Sequence, residues 1–106
     1  MLTEDALRNW LTARYHWRVW DRRIRDIGYA FLVNRQSDAY LVSGDVEEML
    51  IGIGDLVVLK ASGAVWTFAV HPDFFPLYEA DDEETFYRLK SELLPESQPD
   101  EYVPMT

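Results

Sequence analysis

Apolar residues recur at helical spacing at the start of the chain: Ala6, Leu7, Trp10 and Leu11 share one face of a helix. Thr3 is a natural cap for it, and Glu4 and Asp5 fall in the first turn, beside the positive end of the helix dipole. The spacing predicts an end near Ala13 or Arg14. The period then shortens. Tyr15, Trp17 and Val19 alternate with His16, Arg18 and Trp20, which predicts a strand over 15–21. Residues 21–26 are strongly charged and read as a loop or as the exposed end of a long hairpin. Gly28 precedes a second strand over 29–34.

Residues 35–54 are less regular. Tyr40, Leu41 and Val42 form a short apolar run, Ser43-Gly44-Asp45 has turn chemistry, and 45–50 predicts a helical turn. The clearest hairpin follows: strands over 56–60 and 64–70 around Ala61-Ser62-Gly63. His71-Pro72-Asp73 stops the second strand, with His71 a capping residue. Residues 74–80 read as a loop with apolar anchors. A last helix starts at Asp81, places Phe86, Leu89, Leu93 and Leu94 on one face, and ends at Pro95. The fold class expected is α+β: an antiparallel sheet of about four strands, with an N-terminal and a C-terminal helix packed on one side of it. Residues 1–94 form one domain in this reading. Residues 95–106, with Pro95, Pro99 and Pro104 among acidic residues, form a loose tail.

Composition supports a folded domain, since 48% of the 106 residues are hydrophobic. The absence of cysteine excludes disulfides, thiolate nucleophiles and sulfur-ligated zinc. It favours the cytoplasm, as does an acidic N-terminus unlike a signal peptide. The apolar stretches are too short to cross a membrane. The net charge of −9 is unevenly placed: residues 1–35 carry +3 and residues 36–106 carry −12. Such a surface repels nucleic acid and anionic membrane and attracts basic partners, and acidity also serves solubility.

Catalytic chemistry is hard to build from these residues. His16 and His71 stand far apart in sequence, the serines lie in no nucleophile-elbow setting, and Gly52-Ile53-Gly54 lacks the rest of a phosphate loop. No enzyme activity, cofactor or metal is expected. The carboxylates of Asp81, Asp82, Glu83 and Glu84 suit a helix start, and also a docking patch for a partner's Arg and Lys. Arg18, Arg22, Arg23 and Arg25 lie near Tyr15, Trp17 and Trp20, a mixture that can bind single-stranded nucleic acid. Asp21 and Asp26 interrupt it, so pairing with the acidic half or a protein interface is the preferred reading.

The stretch Leu50-Ile51-Gly52-Ile53-Gly54-Asp55-Leu56-Val57-Val58-Leu59-Lys60-Ala61-Ser62-Gly63-Ala64-Val65 resembles the signature of the immunity protein 35 domain family, small bacterial proteins in which a Gly-x-Gly-Pro turn opens a strand. Gly28-Tyr29-Ala30-Phe31, followed by Ser37, resembles that family's aromatic strand. Here Asp55 stands in place of the proline and Ile53 in place of a polar residue. The resemblance covers residues 3–94. It implies a cytoplasmic antidote that occludes a cognate protein toxin stoichiometrically, through an acidic face set against a basic cleft. The partner-binding candidates are Asp45, Glu47, Glu48, Trp66, Tyr78 and the four acidic residues from Asp81 to Glu84. The alternative is an acidic chaperone or adaptor that holds an extended segment of a secreted effector. The exposed aromatics suit either a partner or a homodimer.

Overall fold

A computed structural model describes residues 1–16, 23–36, 38–44, 47, 54–68 and 70–105. Helix α1 (Glu4–Tyr15) starts as its sequence requires, with the Thr3 hydroxyl accepting from the Ala6 N–H at 3.2 Å. It runs one residue beyond Arg14, so Tyr15 is helical rather than the start of a strand. His16 ends it in the left-handed conformation (φ 61°), donating its N–H to Thr12. The rest of the strand expected over 15–21 lies outside the described residues.

Five strands form one antiparallel sheet in chain order: β1 (Ile24–Asp26), β2 (Ala30–Val33), β3 (Leu56–Leu59), β4 (Ala64–Trp66) and β5 (Glu101–Tyr102). The α+β class therefore holds, with five strands where about four were expected. β1 falls in the charged segment read as a loop or as the exposed end of a long hairpin, and it is a strand of a hairpin. It pairs with β2 across the turn at Gly28, with Arg25 opposite Leu32. β4 is shorter than expected and ends at Trp66.

β5 lies in the segment expected to be a loose tail. It pairs with β4, Ala64 facing Tyr102 and Val65 facing Glu101. Val103, just beyond, is buried and donates its N–H to the Gly63 carbonyl at 2.8 Å. The folded unit thus reaches at least Val103. Pro99 and Pro104 bracket β5, and neither has an N–H to offer a further strand.

The helices cover both faces of the sheet, not one. Side chains alternate along each strand, so one face presents Phe31, Val33, Leu56, Val58 and Val65, which pack with Leu7 and Leu11 of α1. The other presents Ala30, Leu32, Val57, Leu59, Ala64 and Trp66. Those residues pack with Leu77 of α3 (Phe75–Glu79) and Phe86 of α4 (Glu83–Leu93). β2, β3 and β4 are buried at every position, as strands covered on both faces must be.

Arg23 locks the edge of this sandwich. Its side chain is fully buried, and it donates to the carbonyls of Asn34 (2.8 Å) and Gln36 (2.9 Å) and to the Asp38 carboxylate (2.6 Å). The clamp ties the start of β1 to the exit of β2 and to α2 (Asp38–Ser43), a helix that contains the Tyr40-Leu41-Val42 run.

Candidate functional site

The layer formed by α3, α4 and their flanks concentrates the acidic charge. Between residues 73 and 96 stand Asp73, Glu79, Asp81, Asp82, Glu83, Glu84, Glu92 and Glu96, against Arg88 and Lys90. Asp73 sits beside His71, 3.4 Å away. The other seven carboxylates make no ion pair among the described residues. Lys90 is turned inward: its Nζ lies 5.5 Å from the Trp66 ring centre and donates to the Pro95 carbonyl. The opposite layer is balanced, with Arg8 paired to Glu4 and Arg14 paired to Glu101 across to β5.

Local structure explains part of the acidic run. Asp82 caps α4 by accepting from the Thr85 N–H at 2.7 Å, and that bond holds its carboxyl below the usual range. Glu83 and Glu84 occupy the first turn. Asp81 precedes the helix and is exposed. Tyr29 lies within the field of this run. Its phenol is pushed up to about 12, chiefly by burial and then by Asp82, Asp81 and Glu83.

The remaining sequence candidates separate. Trp66 is 3% exposed and belongs to the core, so it is not a surface anchor. Its ring stacks on Phe68 and meets Phe86 edge-on, because the β4 alternation turns it under α4. Tyr78 is partly buried, donating its hydroxyl to the Phe68 carbonyl at 3.3 Å. Glu47 is exposed, while Asp45 and Glu48 lie outside the described residues, as does most of the helical turn expected over 45–50. Both histidines act as caps: His16 ends α1, and the His71 Nδ1 accepts from the Asp73 N–H at the start of the 3-10 turn Pro72–Phe74. Of the arginines expected to pair with the acidic half, Arg23 does so through Asp38; Arg18 and Arg22 lie outside the described residues.

Beside the acidic layer is a cleft of about 300 Å³ that the sequence reading missed. The pairing of Arg25 with Leu32 brings both to it, on the sheet face that carries α3. Asp55 enters from the approach to β3, and Tyr78 and Glu79 from α3. Val70 and Phe75 line it too, at 52% and 46% exposure. Gly54 is needed here by close approach, since a Cβ would stand 2.7 Å from the Tyr78 hydroxyl. Its carbonyl accepts from the Arg35 Nε at 2.5 Å. Burial pushes the Asp55 carboxyl up, and Arg25 and Arg35 oppose that shift. No contiguous motif marks this cleft, which joins residues from three distant segments.

Among the described residues, no group of three or more His, Asp or Glu is placed to hold a metal ion, and no helix is long and apolar enough to cross a membrane. No protein-family model, curated protein or solved structure matches the chain.

Proposed function

We propose that this protein is a stoichiometric protein-binding module of the toxin-immunity kind, whose α3–α4 layer docks on a basic surface of its partner. The observation that carries the reading is the seven carboxylates of that layer that make no ion pair among the described residues, while both arginines of α1 are paired, Arg8 with Glu4 and Arg14 with Glu101. An unneutralised acidic face on a folded scaffold steers a basic partner into contact and repels acidic ones. Phe75 and Val70, exposed at the edge of the layer, supply apolar area for the centre of such an interface. The resemblance to the immunity protein 35 domain family supports the same class. Occlusion of a toxin's site needs a rigid shape and complementary charge rather than catalytic groups.

The test is affinity capture on the intact protein with the products of adjacent genes co-expressed. The reading predicts one partner, bound one to one, basic on the bound surface, and toxic when expressed alone. Capture of a harmless secreted protein bound as an extended segment would instead establish the chaperone reading.

A further inference from the structure

Three charged side chains line the cleft without forming an ion pair with one another. Arg25, Asp55 and Glu79 all line it, and none makes a hydrogen bond or ion pair among the described residues. Elsewhere the fold closes such gaps: Arg23 is paired with Asp38, Lys60 with Asp26, and Arg14 with Glu101. Asp55 is also partly buried, and the charges of Arg25 and Arg35 offset only part of the water it has given up, because neither forms an ion pair with it; the remainder costs stability. Residues that cost stability in this way are found where a ligand completes the site. Between the charges the walls are apolar, formed by Leu32, Val70 and Phe75. The volume suits a small ligand rather than a folded element.

We propose that the cleft is a binding site for a small zwitterion of the α-amino-acid type with an apolar side chain. Its carboxylate pairs with the Arg25 guanidinium, which can present two parallel donors. Its ammonium takes the carboxylates of Asp55 and Glu79, and its side chain lies on Leu32, Val70 and Phe75. A simple anion meets two carboxylates in this cleft, and a simple cation meets Arg25. A molecule carrying both charges satisfies all three groups. The site shares Glu79, Val70 and Phe75 with the proposed docking face, but its test uses the protein without a partner, so either reading can fail without the other.

The experiment is a titration of the isotope-labelled full-length protein, followed by NMR. The probes are L-leucine and L-phenylalanine, their N-acetyl derivatives, which lack the ammonium, and their amides, which lack the carboxylate. The proposal predicts saturable shifts centred on Gly54, Val70 and Tyr78, with a Kd of about 1 mM or tighter for at least one free amino acid. Both blocked forms bind about tenfold or more weaker, as do Arg25→Gln and Asp55→Asn proteins with the free amino acid. The unperturbed spectrum of each variant away from the cleft shows that it is folded. Absence of saturable shifts with the free amino acids overturns the proposal. So does equal binding of the blocked derivatives, or full binding by both variants.

Discussion

Replacing Gly63 with alanine tests the docking of the C-terminal segment against the sheet. Gly63 has φ +77°, and an added Cβ would stand 2.5 Å from the backbone oxygen of Val103. Two costs follow. The left-handed conformation costs a residue with a side chain about 1–2 kcal/mol. The clash is with backbone rather than a flexible side-chain end, and forcing an extra methyl into packed structure costs about 1–3 kcal/mol more. The variant should lose about 2–5 kcal/mol in all. Gly28→Ala is the control, because Gly28 also has positive φ (+97°) but its Cβ would meet nothing within 4 Å. It should lose only the conformational part. In a chain of this size the extra kilocalorie or more lowers Tm by a further ~4 °C at least. Urea denaturation of both variants measures the difference, and an unchanged slope in the pair shows that stability changed without a change in the surface exposed on unfolding. Amide exchange gives a second reading: the Val103 N–H, bonded to the Gly63 carbonyl, is protected in the parent and exposed in Gly63→Ala. Equal losses in the two variants would refute the reasoning and mean that residues beyond Leu94 are not held on the sheet.

Other substitutions probe the core and the charges. Trp66→Ala should cost about 3–5 kcal/mol by leaving a cavity under α4. Trp66→Phe should cost much less, because it also removes a buried Nε1 donor that has no hydrogen-bond partner; chemical denaturation of both decides, and a stable Trp66→Ala protein would return Trp66 to the surface. Arg23→Lys keeps the charge but cannot span Asn34, Gln36 and Asp38 together, so it should lose about 1–3 kcal/mol in urea melts, and a neutral result would mean the clamp is not formed. The Asp26 carboxyl is held below its ordinary value first by the Lys60 hydrogen bond and then by the Gly28 N–H. A group lowered in the folded state stabilises it above the unfolded pKa, and that contribution is lost as pH falls below about 4. Asp26→Asn should therefore be less stable at neutral pH by under about 1 kcal/mol, since the Asp26 carboxylate is exposed to solvent, and should show a shallower acid decline of Tm. Identical acid profiles would contradict the assignment.

How much of this was legible in sequence depends on the signal each element leaves. α1 and α4 carry caps, first-turn acids and one apolar face, and both were readable to within a residue or two. The β3–β4 hairpin announced itself through Gly63 between two apolar runs. The second helical layer was legible in principle. Leu56-Val57-Val58-Leu59 is apolar at every position, and a strand wet on one side would alternate. β5 was not legible, because two residues between prolines have no period, and the contacts that hold them, with β4, Gly63 and Arg14, are all distant in sequence. β1 was masked by charge: Arg25 and Asp26 are exposed on a sheet edge, where charge is tolerated. The acidic run was visible as a cluster, but its lack of internal partners could only be seen in three dimensions. The cleft depends on the register of Arg25 against Leu32 and on the return of α3, which no local pattern encodes.

The acidic α3–α4 layer is the proposed docking face, and the rate of association with the captured partner tests that role most directly. Asp81 and Glu84 are exposed and free of capping roles, so Asp81→Lys with Glu84→Lys reverses the field without removing the Asp82 cap. Stopped-flow mixing across a range of ionic strength should show fast association for the parent that slows as salt rises. The charge-reversed protein should associate about tenfold or more slowly at low salt, with a much weaker salt dependence. Equal rates and equal salt dependence for the two proteins would contradict the account and move the docking face elsewhere on the molecule.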